Sequence, residues 1–164
     1  MLAIDHILSL LQQHPTEAIL LASQTQLPAI HDFATQHQRQ LTWITPDNNA
    51  ESLPHQAFAI IVDFLEHMKK DQALHLLGQW RNLRCNHMWI AVSASDQRWT
   101  FQDFIGLGCK RLGQYHGLSE TCGDSPKDTP TIKAYGYDLG HYNQRRRWNS
   151  PRYWANPDMW SKRW

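Results

Sequence analysis

The sequence predicts a three-layer α/β fold, in which helices cover both faces of a mostly parallel sheet that ends in an antiparallel pair of strands. Short apolar runs typical of buried strands alternate along the chain with segments whose apolar residues recur every three or four positions, as in amphipathic helices. The last two strand-like segments are joined by one loop without a helix, which favours an antiparallel hairpin. At 164 residues the chain is long enough to bury a core of its own.

The first part of the chain contains two helices and two strands. Ile4, Ile7, Leu8 and Leu11 share one helical face, and the pair His14-Pro15 ends that helix, because the residue before a proline avoids the α conformation. The continuous apolar run AILLA and the β-branched and aromatic run LTWIT indicate strands. The predicted elements are helix 3–13, strand 18–22, helix 27–38 and strand 41–45.

The second part supplies the centre of the predicted sheet. The run FAIIV is the clearest buried strand, and Asp63 follows it directly. Thr100 and Asp103 have the spacing of a helix N-cap and its third residue. A polar loop at 117–130 separates the last two strands. The predicted elements are strand 58–62, helix 64–83, strand 87–92, helix 100–107, strand 110–116 and strand 131–139.

Composition narrows the class of protein. With 41% hydrophobic and 19% charged residues the chain is not disordered throughout, and a net charge of +1 excludes polyanion binding by bulk charge. Three cysteines without a CxxC pair predict free thiols and a cytoplasmic protein. No run is long enough for a membrane span, and no membrane partner is expected. The ten dispersed histidines form no ligand motif, so no metal site is expected.

A buried strand followed by an acidic residue and an LEH helix start spans residues 57–68, which read AFAIIVDFLEHM. This segment, with the next helix and strand, resembles class I S-adenosylmethionine-dependent methyltransferases. The resemblance covers residues 57–93 well and 1–139 loosely. It implies a Rossmann-like, methyltransferase-like sheet. The positions that would contact S-adenosylmethionine are Ser23, Asp47, Asp63, Phe64, Glu66 and His67.

The sequence departs from that family where the cofactor would lie. A glycine-rich loop normally follows the first strand, because glycine lets the backbone approach the ligand closely. Here residues 23–28 read SQTQLP, and no glycine occurs before Gly78. Twelve residues separate Thr45 from Phe58, too few for the family's third strand and its helix. We therefore expect the third strand to be absent and the cofactor site to be degenerate, with no cofactor and S-adenosylmethionine as the alternative.

Asp63, Glu66 and His67 each have two possible roles. Asp63 either caps helix 64–83 at the strand end or retains a ligand contact. Glu66 and His67 either lie on the surface of the first helical turn, where an acid suits the helix N-terminus, or form a catalytic pair. Helix capping and surface exposure are the favoured readings.

The C-terminal segment differs from the body of the chain. Residues 141–164 hold six Lys and Arg residues against one acid, whereas residues 1–140 hold ten against fourteen. Four of the eight tryptophans also lie there. We therefore divide the chain into an α/β domain over 1–140 and a basic, Trp-rich tail over 141–164. The LEH segment, the strand that ends in Tyr137-Asp138-Leu139 and the aromatic tail from Trp148 to Trp160 together resemble an uncharacterised bacterial family of about this length.

Three roles remain open for the tail: packing on the body, an interface with a second copy or another protein, or nucleic-acid binding. We also expect it to leave the last strand at the ligand end of the sheet and to fill the vacated cleft. For the whole protein we expect a non-catalytic binding or structural role. The alternatives are an active divergent methyltransferase and a nucleic-acid-associated module. The tail residues proposed for contacts are Arg145, Arg146, Arg147, Trp148, Trp154 and Trp160.

Overall fold

The computed structural model describes residues 2–47, 57–118, 131–142, 151–153 and 157–159. Its helices are α1 (Ala3–Gln13), α2 (Pro28–Gln36), α3 (Lys70–Leu83), α4 (Phe101–Gly106) and the single turn α5 (Leu139–Tyr142). Its strands are β1 (Ala18–Ser23), β2 (Gln40–Ile44), β3 (Ala57–Val62), β4 (Cys85–Ser93), β5 (Lys110–His116) and β6 (Thr131–Asp138). Short 3₁₀ turns span Leu65–His67, Pro151–Tyr153 and Pro157–Met159.

The six described strands form one sheet in the order β2-β1-β3-β4-β6-β5. β1 pairs in parallel with β2 and β3, and β3 pairs in parallel with β4. β6 runs antiparallel to both of its neighbours, β4 and β5. The predicted Rossmann-like α/β class, with its antiparallel terminal pair, is confirmed. Within the described residues β2 is the edge strand on its side, and residues 48–56, where a third strand would have to lie, are not among them.

The sheet separates two apolar cores and so makes three layers. α1 and α2 cover one face, where Ile7, Leu11, Ile30 and Phe33 pack on alternate strand residues such as Trp89. α3 and α4 cover the other face through a second set of buried side chains, including Leu77, Trp80 and Phe104. Every residue of the interior strands β1 and β3 is buried. This double burial explains why these two strands read as continuous apolar runs.

The described residues bear on two predictions: that the cysteines are free thiols and that no segment spans a membrane. Cys85 and Cys109 are buried free thiols, and burial raises the pKa of each to about 12. Both therefore stay protonated and unreactive at neutral pH. Among the helices that the structure describes, none combines the length and apolar character needed to cross a membrane.

The predicted helix over 64–83 is wrong at its start. After β3 the chain makes only a 3₁₀ turn at Leu65–His67, then an extended residue at Met68, and α3 begins at Lys70. Asp63 has a φ of 47°, a left-handed conformation that redirects the chain. The break lets Phe64 and Leu65 enter the core, where both are fully buried. Burial of these two neighbours outweighs the helical propensity of the segment.

The expected exit of the tail at the ligand end of the sheet is also wrong. Because β6 is antiparallel, its last residue, Asp138, pairs with His87 near the start of β4, and Ile132 pairs with Ser93 at its end. The chain therefore leaves the sheet at the end where the parallel strands begin, which we call the amino edge. Such folds bind ligands at the opposite end, where the parallel strands finish, which we call the carboxyl edge. The proposal that the tail fills the cofactor cleft loses its geometric basis. Most of the tail, including its predicted packing on the body, lies outside the described residues.

Tyr142 attaches the end of α5 to the body. Its ring lies against the backbone of Gly108, and the Arg81 guanidinium carbon lies 5.9 Å from the ring centroid. Arg81 also donates a hydrogen bond to the Leu107 carbonyl over 3.0 Å. Gly108 adopts a φ of +80°, which favours glycine. The loop after α4 thus fixes where the tail begins.

We predict that Gly108→Ala destabilises the protein. A Cβ at this position would lie 2.6 Å from a Tyr142 ring carbon, and a left-handed conformation costs a non-glycine residue about 1–2 kcal/mol. The matched control is Gly78→Ala in α3, where a Cβ meets nothing within 4 Å. There we expect a gain of about 0.5–1 kcal/mol from helix propensity. Urea unfolding of both variants checks the pair, and equal effects would contradict this role of Gly108.

Candidate functional site

The carboxyl edge of β1 is covered by the protein's own side chains. Ser23 is buried, and its hydroxyl donates to the Thr25 carbonyl over 2.6 Å. The Trp43 indole N–H, from the neighbouring strand β2, lies 3.2 Å from both the carbonyl and the hydroxyl oxygen of Ser23. The indole therefore lies across the end of β1, where the family resemblance places the cofactor loop.

The chain segments after β1 and β3 are bonded to each other. The Gln24 N–H donates to the Asp63 carbonyl over 3.3 Å. These segments flank the point where the strand order reverses, because β2 lies on one side of β1 and β3 on the other. Open α/β sheets bind ligands in the crevice at such a point. Here a main-chain hydrogen bond spans it.

Glu66 connects the 3₁₀ turn to the end of β4. Its Oε1 accepts the Ser93 N–H over 2.7 Å, while Oε2 is buried without a hydrogen-bond partner among the described residues. Burial raises the pKa of Glu66, and the nearby charges of Asp63 and Asp96 raise it further, against the lowering effect of the Ser93 N–H. Arg98 holds the same turn, since it donates to the Glu66 carbonyl over 2.9 Å and pairs with Asp96 at 2.7 Å.

The favoured readings of Asp63 and Glu66 are both wrong. Asp63 caps no helix, because α3 starts seven residues later; instead its Oδ1 lies 3.1 Å from His67 Nε2. Glu66 is not an exposed first-turn acid, because a partly buried carboxylate here bonds β4. The sequence missed this role because the bond to Ser93 joins residues 27 positions apart.

The remaining predicted positions do not converge on one pocket. Asp47 is exposed in the turn after β2, and Phe64 is fully buried with its ring 5.9 Å from that of Trp80. A cavity of about 390 Å³ beside Trp43 and an open one of about 740 Å³ beside His67 flank this edge. Ser23, Asp47 and Asp63 line neither cavity. The tail residues 145–148, 154 and 160 lie outside the described residues.

A second group of polar side chains meets at the amino edge of the sheet. His14 follows α1, His87 lies in β4, and Asp138 ends β6 opposite His87. The His14 and His87 ring centroids are 4.0 Å apart, and His87 Nδ1 lies 3.5 Å from Asp138 Oδ1. The other carboxylate oxygen, Oδ2, lies 2.5 Å from His141 Nδ1. We call His14, His87 and Asp138 the amino-edge triad.

The electrostatics of the triad favour a neutral ring beside a charged carboxylate. Burial lowers the pKa of His87, and the rings of His14 and His141 lower it further, whereas Asp138 acts in the opposite direction. Burial acts to raise the pKa of Asp138, but hydrogen bonds from His141 and the Gly140 N–H lower it below its ordinary value. A neutral imidazole and an ionised carboxylate can both act as ligands or hydrogen-bond acceptors.

The triad forms one wall of a cavity of about 400 Å³. A second cavity of about 350 Å³ shares His14 and His87 with it. Sequence reasoning missed this site because its residues lie far apart in the chain and form no spaced motif. Only the antiparallel direction of β6 brings its last residue to the edge where the parallel strands begin. The larger cavity is lined by Leu10, His14, Phe58, His87, Met88, Gly108, Lys110, Leu112, Gly136, Tyr137, Asp138, His141 and Tyr142.

We predict that Glu66→Gln changes how stability depends on pH. A carboxyl whose pKa is raised on folding binds its proton more tightly in the folded state, so its contribution to stability is present below the ordinary value of 4.5 and is lost as pH rises through the raised pKa. A glutamine side chain does not titrate, so the variant does not lose stability in this way as the pH rises. Its stability relative to the wild type should therefore increase between pH 4 and pH 8.

Urea unfolding at several pH values measures this difference. Glu17→Gln is the matched control, since the Glu17 side chain is exposed. A stability difference between Glu66→Gln and the wild type that stays constant across this pH range would contradict the burial of the Glu66 charge.

Two solved structures share part of the arrangement. One is the methyltransferase domain of bacterial CtHen1-C, with 7% identity and a TM-score of 0.45 over 82% of this chain and 96% of that one. The other is LepI in complex with SAM, with 10% identity and a TM-score of 0.35 over 81% of this chain and 40% of that one. With TM-scores this low, neither likeness assigns an activity to this chain.

Sequence comparison assigns the chain to a family. A search of the curated proteins found no match. One family model, described as a family of unknown function (DUF6231), matches residues 2–164. This match confirms the resemblance to a family of unknown function that the LEH segment, the last strand and the aromatic tail suggested. Because the model spans nearly the whole sequence, the chain belongs to the DUF6231 family.

Proposed function

We propose that this protein acts by binding and not by methyl transfer, and that the carboxyl edge of its sheet does not hold S-adenosylmethionine. The observation that best supports this is the Trp43 indole, whose N–H donates over 3.2 Å to the carbonyl and hydroxyl oxygens of Ser23. These contacts cover the place where a class I methyltransferase would bring its glycine loop against the cofactor.

The backbone at this edge supports the same conclusion. A cofactor loop approaches its ligand closely because glycine lacks a Cβ and tolerates positive φ. The loop here starts with the buried Ser23, whose hydroxyl turns back to Thr25. The bond from Gln24 to the Asp63 carbonyl then joins the loop to the end of β3. A ligand entering the crevice would have to break this bond.

Two acidic side chains at this edge each have one oxygen engaged within the protein, although Glu66 Oε2 has no partner among the described residues. Asp63 contacts His67, and Glu66 accepts the Ser93 N–H. Separating Glu66 from Ser93 would leave a partly buried N–H without its acceptor, and for a fully buried group that loss costs roughly 1–3 kcal/mol. These groups therefore stabilise the turn after β3.

The amino edge offers a better surface for binding. The triad lies beside a cavity of about 400 Å³ whose walls are largely apolar. A mostly apolar cavity with a few convergent polar groups is the usual form of a small-ligand site. We therefore place the binding function at this edge.

We predict that purified wild-type protein shows no binding of S-adenosylmethionine or S-adenosylhomocysteine with a Kd below about 100 μM. Isothermal titration calorimetry measures this directly, and the melting temperature should not change when either ligand is added. Micromolar binding would contradict the proposal and favour the active methyltransferase.

Two variants then locate any binding that is seen. Asp63→Asn would weaken it if the ligand lies at the carboxyl edge. Glu17→Gln, an exposed change before β1 at the opposite end of the sheet, is the matched control and should have no effect.

A further inference from the structure

The amino-edge triad brings together two imidazoles and a carboxylate from three separate elements. One ligand atom from each of His14, His87 and Asp138 lies within 4.8 Å of the others. Donors around a tetrahedral ion lie about 3.3 Å apart, given bonds of about 2.0–2.1 Å. Side-chain rotations that move these ligand atoms by about an ångström would therefore bring all three within bonding distance of one ion.

His87 Nδ1 is available as a ligand atom. It is buried and makes no hydrogen bond among the described residues, although Asp138 Oδ1 lies 3.5 Å away. A buried nitrogen without a partner is unusual in a folded protein and needs an explanation. An ion between His87 and Asp138 would supply the missing interaction.

The backbone around the triad is already ordered. Arg39 donates to the Leu11 carbonyl over 2.8 Å and so fixes the end of α1 next to His14. His87 is held between the rings of His14 and Phe58, at centroid distances of 4.0 and 5.8 Å. The register of β4 against β3 shifts at Asn86, because Ala57 pairs with Cys85 and the next residue, Phe58, pairs with His87.

The carboxylate is oriented by a second set of groups. The Gly140 N–H donates to Asp138 Oδ1 over 2.8 Å, and His141 lies against Oδ2. Metal-binding carboxylates are commonly hydrogen-bonded in this way by groups that do not touch the ion. His141 therefore acts as a positioning residue for Asp138.

We propose that His14, His87 and Asp138 bind a divalent first-row transition-metal ion. Imidazole and carboxylate donors together suit zinc, iron, cobalt and nickel, whereas calcium and magnesium favour sites made of oxygen alone. Three protein ligands leave a coordination position open. The neighbouring cavity of about 400 Å³ gives that position access to water or a small ligand. This inference names a ligand for the proposed binding role and rests on it.

Titration of chelator-treated full-length protein with Zn²⁺ tests the inference. Calorimetry should show one ion per chain with a Kd in the micromolar range or tighter. His87→Ala and His14→Gln should each weaken binding at least tenfold. His75→Ala and His67→Gln, which change exposed histidines elsewhere, are matched controls and should leave the Kd unchanged.

Two further measurements allow for a variant that fails to fold. Asp138→Asn keeps the size of the side chain and should also weaken Zn²⁺ binding at least tenfold, with folding checked by circular dichroism. Co²⁺ should give the wild type visible absorption bands typical of a four- or five-coordinate ion, and these bands should be absent in Asp138→Asn.

Several results would overturn the inference: no Zn²⁺ binding with a Kd below about 100 μM, binding that the folded triad variants leave unchanged, or binding lost equally in the His75 or His67 controls. A failure here leaves the proposed closure of the carboxyl edge intact. Binding of S-adenosylmethionine contradicts that closure without affecting the metal site, so the two failures can be told apart.

Discussion

The antiparallel pairing of β6 with β4 decides how the two edges of this sheet are used. It places Asp138 opposite His87 and brings the chain out of the sheet at the edge where the parallel strands begin. If β6 ran parallel to β4, its last residue would instead lie near the ends of β1 and β3. The triad, its cavity and the position of Tyr142 near the start of the tail all follow from this one direction of pairing.

The carboxyl edge differs, because several of its polar groups form hydrogen bonds with one another. Trp43 covers Ser23, Gln24 joins the end of β3, and Glu66 bonds the end of β4. The same α/β framework can support different functions, since function depends on the side chains at a site and not on the fold that carries it.

The sequence predicted most of the framework because the framework depends on local patterns. Buried runs such as residues 58–62 and the amphipathic helix 3–13 lie within a residue of their observed bounds. The missing glycines also directed attention to Ser23. Local patterns failed where distant contacts decided the outcome, as at Phe64 and Leu65, whose burial breaks the expected helix. The triad could not be predicted, because it depends on the register of β4 with β6 across about 50 residues.

We propose that ligand binding takes place at the amino edge of the sheet and not at its carboxyl edge. Amide NMR spectra of the ¹⁵N-labelled protein test it directly, with Co²⁺ and S-adenosylmethionine added in turn. We expect paramagnetic Co²⁺ to broaden the amide signals around His14, His87 and Asp138. We expect S-adenosylmethionine to leave the signals of Gln24, Asp63 and Ser93 unshifted. Shifts at Gln24, Asp63 and Ser93 on adding S-adenosylmethionine, or Co²⁺ broadening centred on Asp63 and His67, would contradict it.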